Sequence, residues 1–140
     1  MLDRKALGAH TELQCITYLA GLGHTISIPW GDNARYDFIL EVENKLYKIQ
    51  CKTASMKDEG VWHFATCRRR INSQENVRKA YLPEEVDYFC TFINNRCYLI
   101  PYSETCQTEK TLRFVPPKNS QSYTPAPVYE AENQISLLLK

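Results

Sequence analysis

A mixed α/β (α+β) domain is the fold class this chain predicts, and three patterns predict it. An amphipathic helix repeat occupies the N-terminal end, short alternating strand segments fill the middle, and a second apolar helix repeat closes the C-terminal end. The expected architecture is a central mixed β-sheet with the first helix packed on it, followed by a hairpin and a short helix. At 140 residues the chain is sized for one domain spanning 1–140, with a core large enough to need no staples. A hydrophobic fraction of 44% beside 24% charged residues fits a soluble globular protein. No apolar run is long enough to cross a bilayer, and Met1-Leu2-Asp3-Arg4-Lys5 leads into a helix pattern and not a signal peptide. The expectation is therefore a cytoplasmic, nucleoid-associated protein with no membrane partner.

The helix expected over residues 3–20 has Asp3 as its N-cap, Gly21-Leu22-Gly23 as its stop, and Ala6, Ala9, Leu13, Ile16 and Ala20 as its inner stripe. Glu12 lies on the shoulder of that stripe, about 40° round from Ile16. Strands are expected at His24–Trp30, with Ile26, Ile28 and Trp30 on one face and Pro29 marking an end or edge, and then at Asp37–Leu40 and Tyr47–Lys52. A polar loop from Ser55 to Gly60 leads to a strand over Val61–Cys67. Val86–Ile93 and Arg96–Pro101 read as a hairpin about Asn94-Asn95, a pair suited to positive φ. Tyr88, Phe89, Phe92 and Tyr98 give that hairpin apolar surface for a core or for a subunit interface. Leu112–Val115 is a last short strand, Pro116–Pro127 a loop, and Val128, Ala131, Ile135 and Leu138 mark the final helix.

The chemistry concentrates in two segments, Arg35-Tyr36-Asp37-Phe38 and Ile49-Gln50-Cys51-Lys52. Alternation puts Gln50 and Lys52 on one strand face, with Tyr47, Ile49 and Cys51 on the other. A hairpin brings Asp37 alongside them. A carboxylate and an amide oxygen beside an ammonium suit a hard divalent cation and a developing negative charge, which is what phosphodiester hydrolysis requires.

A net charge of +1 leaves any anionic partner to local patches. From Thr66 to Ala80 the chain carries Arg68, Arg69, Arg70, Arg78 and Lys79 against one acid, Glu75. Basic runs are commonly solvated loops. Here Asn72, Ser73, Gln74 and Asn76 interleave, side chains that also donate to phosphates and base edges. The six cysteines contain no Cys-x-x-Cys pair and no zinc spacing. Cys51, Cys67, Cys90 and Cys97 fall in apolar segments and read as small buried hydrophobes. His10, His24 and His63 are scattered.

With these residues in place, the chain resembles the PD-(D/E)XK nuclease superfamily, and within it the small intron-encoded homing endonucleases. The matching elements are a helical Glu in Gly8-Ala9-His10-Thr11-Glu12, the strand-initial Asp37 after Gly31-Asp32-Asn33, and Gln50-Cys51-Lys52-Thr53. Val86-Asp87-Tyr88-Phe89 followed by Tyr98-Leu99-Ile100-Pro101 is similar as well. Two departures stand out: Tyr36 occupies the position of the usual Pro, and Gln50 that of the usual acid. An amide oxygen ligates a hard cation without adding charge, so Glu12 is expected to supply it. The resemblance implies a restriction-endonuclease-like core and catalytic residues Glu12, Asp37, Gln50 and Lys52. It implies Mg²⁺, replaceable by Mn²⁺, held by Asp37, Gln50, the Cys51 carbonyl and Glu12. Double-stranded DNA is the implied substrate, with Arg68, Arg69, Arg70, Arg78 and Lys79 the candidates to contact it and Asn33, Arg35 and Lys118 the weaker nominees. Cutting two strands with one site per chain implies a homodimer or homotetramer. The leading expectation is a site-specific endonuclease of homing type. A structure-selective Holliday-junction resolvase is the second, and a DNA-binding module disabled by Gln50 the third.

Overall fold

The computed structural model describes residues 3–71 and 76–139, those at 69–71 and 76–78 by backbone alone. Along the chain run α1 (Arg4–Gly21), β1 (Thr25–Ser27), β2 (Phe38–Val42), β3 (Lys45–Cys51), β4 (Ser55–Asp58), β5 (Val61–Ala65), β6 (Cys67–Ile71), β7 (Asn76–Ala80), β8 (Tyr88–Ile93), β9 (Arg96–Pro101), β10 (Glu109–Arg113) and α2 (Ala131–Leu138). The central sheet has the order β1-β2-β3-β8-β9, with β3 and β8 parallel and the other neighbours antiparallel, so it is mixed. A second sheet, β10-β5-β4, and a two-stranded ribbon, β6-β7, complete the fold.

Both faces of the β8–β9 hairpin are covered, which is why its sequence is nearly continuously apolar. Tyr88, Cys90, Cys97 and Leu99 face α1 and α2 in one core. Phe89, Ile93, Tyr98 and Ile100 face the second sheet in another, together with Phe64 and Leu112. The aromatic surface of this hairpin is therefore core, with only Phe92 half-buried. Asn94 and Asn95 turn it at φ of 50° and 65°, as their residue types predict. The β2–β3 hairpin turns in the same way at Glu43 and Asn44, with φ of 48° and 67°.

Several expectations are corrected. Asp3 caps α1 as expected, accepting from the Ala6 N–H at 2.8 Å. The buried stripe of α1, however, is Thr11, Cys15 and Leu19, while Leu13 is 62% exposed and Ala9 and Ala20 are exposed. The alanines carry too little surface to decide which face turns inward, whereas Leu19 and Cys15 fit the space over β8 and β9. The strand expected at His24–Trp30 stops at Ser27: Pro29 cannot donate to a ladder, and Ile28 and Trp30 are exposed. Residues 55–58 are not loop but the exposed strand β4, paired with β5. The basic segment forms the β6–β7 ribbon, and the last strand starts at Glu109, three residues before the expected Leu112. Among the described residues no helix is long and apolar enough to cross a membrane.

Candidate active site

The register of the β2–β3 hairpin, Phe38 opposite Ile49, brings Asp37 to the level where β3 ends. There the Asp37 N–H donates to the Ile49 carbonyl at 2.8 Å, and Asp37 Oδ2 accepts from the Cys51 N–H at 2.7 Å. The carboxylate is thus folded over the end of β3 by two main-chain anchors. Burial pushes its pKa above the ordinary aspartate value, opposed by the Cys51 N–H and the Lys52 charge.

Lys52 follows β3 and is fixed at both ends. Its N–H donates to the Cys90 carbonyl at 2.8 Å, and its ammonium donates to the Cys67 carbonyl at 3.0 Å. The same ammonium stands 5.0 Å from the centre of the Tyr81 ring, within cation–π range. Burial lowers its pKa, against the Cys67 thiol and the Asp37 charge, which raise it. Tyr81, only 5% exposed, has its hydroxyl pushed up by burial first and by the Asp37 charge second.

Glu12 approaches from α1. Burial, then the charge of Asp37, then Cys51, push its carboxyl up to about 7. The adjoining residue ties the helix in place: the Thr11 hydroxyl donates to the Leu7 carbonyl at 3.0 Å and meets the Thr53 hydroxyl at 2.9 Å. Gln50 shares the strand face of Lys52, and its amide N–H lies 3.5 Å from the Cys51 carbonyl, a weak contact that leaves its amide oxygen free of hydrogen bonds among the described residues. Glu12, Asp37 and Lys52 are therefore coupled through Asp37, with Gln50 on the adjoining strand. Thr11, Thr53 and Tyr81 belong to the same constellation and were missed. The two threonines adjoin Glu12 and Lys52 in sequence, which is a usable signal, but nothing near Tyr81 announces its role.

The donor set fits a hard cation. Burial raises the pKa of both carboxyls, the Asp37 charge raises that of Glu12 further, and the Lys52 charge offsets only that of Asp37, so the cluster favours an added positive charge, and its available donors are oxygens.

The basic candidates separate. Arg68 and Lys79 are cross-strand partners on the ribbon, with Lys79 exposed and Arg68 Nε buried without a hydrogen bond among the described residues. The side chains of Arg69, Arg70, Asn76 and Arg78, and the whole of Asn72, Ser73, Gln74 and Glu75, lie outside the described residues. Arg35 is paired with Glu85 at 3.4 Å, Asn33 is exposed, and Lys118 lines a surface cavity with Asp58 and Arg113. The ribbon is rooted at the site itself: Cys67 opens β6, Tyr81 follows β7, and both contact the Lys52 ammonium.

The chain belongs to the PD-(D/E)XK endonuclease family, whose model matches residues 2–132 and whose members generally act on DNA with divalent metal ions. Among solved structures, a bacterial homing endonuclease, I-Ssp6803I, has the same fold, with a TM-score of 0.78 at 22% sequence identity over 99% of this chain and 95% of that one. No curated protein matches the chain.

Proposed function

We propose that this protein is a metal-dependent, site-specific double-stranded DNA endonuclease of homing type, acting as one domain over residues 1–140 on DNA in the cytoplasm. The observation that carries the reading is the position of Asp37, anchored on the Cys51 N–H at 2.7 Å and coupled to both Glu12 and Lys52. Asp37, Gln50, the Cys51 carbonyl and Glu12 would hold Mg²⁺, with Mn²⁺ as a substitute. Bound there, the cation supplies a water of lowered pKa and neutralises charge on the scissile phosphate.

The chain's own residues do the rest. The Cys51 N–H fixes one oxygen of the Asp37 carboxylate, and the other oxygen would be left for the cation. Lys52, held by Cys67 and Tyr81, presents a buried cation to the charge that develops on the phosphate. The β6–β7 ribbon carries Arg68 and Lys79 out from the same root, and with Arg69, Arg70 and Arg78 it would bind the DNA backbone. Asn33 and Arg35, on the segment leading to Asp37, would bind alongside. Two copies are needed to cut both strands, so the active form is a homodimer or homotetramer.

The test is cleavage by Asp37→Asn and Lys52→Met. Both variants should bind duplex DNA with near-native affinity and cut no detectable fraction of it; cutting by either at the native rate refutes the assigned roles. A second reading, binding without turnover, is favoured by the uncharged Gln50. It predicts Mg²⁺-independent binding and no product with any divalent cation.

A further inference from the structure

Four of the six cysteines meet on the face of the central sheet opposite Lys52. Cys15 comes from α1, Cys51 from β3, Cys90 from β8 and Cys97 from β9. The sulfurs of Cys15, Cys51 and Cys90 all lie within 4.8 Å of one another. Cys97 Sγ is 3.2 Å from Cys90 Sγ, which places a fourth thiol beside that group. Cys15, Cys90 and Cys97 are 0% exposed and Cys51 is 9% exposed, among Leu19, Phe38, Leu40, Ile49 and Leu99.

Small apolar residues would fill this space equally well, and nothing in hydrocarbon packing requires four thiols from four elements to gather here. A thiophilic ion does require it. Zinc–thiolate bonds of about 2.3 Å in a tetrahedral site put the sulfurs about 3.8 Å apart. The Cys90–Cys97 separation of 3.2 Å and the 4.8 Å limit on the Cys15, Cys51 and Cys90 set lie on either side of that value. Mg²⁺ and Ca²⁺ are poor matches, since hard ions take oxygen ligands.

We propose that Cys15, Cys51, Cys90 and Cys97 form a buried site for one thiophilic d¹⁰ cation, Zn²⁺ or Cu⁺, separate from the oxygen-lined site at Asp37. Each coordinating thiol gives its proton to solvent as its sulfur binds the ion. Because the sulfurs are closed off, the ion enters as the chain folds, and its binding energy becomes folding energy. The site would also clamp the catalytic elements. Cys15 lies one helical turn beyond Glu12, and the Cys51 N–H holds Asp37, so the ion would tie α1 to β3 directly behind both carboxyls.

The test uses the full chain, unfolded under reductant without metal and refolded in excess Mg²⁺ with one equivalent of Zn²⁺, Cu⁺ or, as a spectroscopic probe, Co²⁺. The expected result is one ion per chain after gel filtration, a native mass showing displaced protons, sulfur-to-cobalt charge-transfer bands, and a thermal midpoint several degrees above the metal-free protein. Competition between Zn²⁺ and Cu⁺ names the ion. Cys15→Ala and Cys90→Ala should each abolish these signals, and Cys106→Ala should keep them. Wild-type protein that refolds without taking up an ion overturns the proposal, whether or not the variants fold. So does uptake that survives the double variant C15A/C90A, or a Cys90–Cys97 disulfide seen as two missing thiols in denaturant.

Discussion

The role proposed for Lys52 rests on how its side chain is held. Burial disfavours its charge, yet the Cys67 carbonyl and the Tyr81 ring hold the ammonium in one place, and the Asp37 charge favours its protonated form. The ring contributes on the order of 0.5–2 kcal/mol to a buried cation. Tyr81→Phe keeps that face and should leave the cleavage rate within about twofold. Tyr81→Leu removes it and should lower kcat roughly tenfold with DNA affinity unchanged. Single-turnover cleavage on a cognate duplex distinguishes the two, and equal rates for both substitutions would remove Tyr81 from the account. Asp37→Asn retains an acceptor for the Cys51 N–H but loses the charge, so cleavage should fall by at least about 100-fold while the thermal midpoint stays close to native. A large drop in that midpoint would mean that Asp37 serves the fold instead.

Among the elements, α1 and the β6–β7 ribbon separate what was legible from what was not. The β2–β3 hairpin could be read because period-two alternation assigns faces and Glu43-Asn44 sets the register. The second hairpin could be read because Asn94-Asn95 accepts positive φ. The inner face of α1 could not, since alanines and one leucine outweighed Thr11 and Cys15, whose burial depends on partners distant in sequence. The thiol cluster was hidden for the same reason, as its members have no local spacing. Urea denaturation checks the corrected face: Leu19→Ala should cost about 2–5 kcal/mol, and the exposed Leu13→Ala within about 0.5 kcal/mol. The reverse order would return Leu13 to the core. For the ribbon, replacing Arg68, Arg69 and Arg70 with alanine should weaken binding to all duplexes. It should also flatten the slope of log K against log salt by up to about 2.7, at roughly 0.9 per lost phosphate contact. A native slope would move the DNA surface elsewhere.

At the scale of the whole molecule, the two cores have separate uses. One seats α1, and with it Glu12, behind the sheet, and the other packs the second sheet on the side where Gln50 and Lys52 emerge. The candidate site lies at the end of β3, where the Cys51 N–H donates to Asp37 and the Lys52 N–H donates to the Cys90 carbonyl. A chain with one such site cuts a duplex on both strands only in pairs, so sedimentation on cognate DNA should show two or four copies per duplex, and a single bound copy that still cuts both strands would contradict this. The most direct measurement incubates the protein with a randomised duplex library and Mg²⁺, sequences the cut ends, and repeats the reaction with chelator and with Asp37→Asn. The account predicts ends clustered at one sequence motif, absent in both controls; intact DNA under every divalent cation, or the same ends from Asp37→Asn, would contradict it.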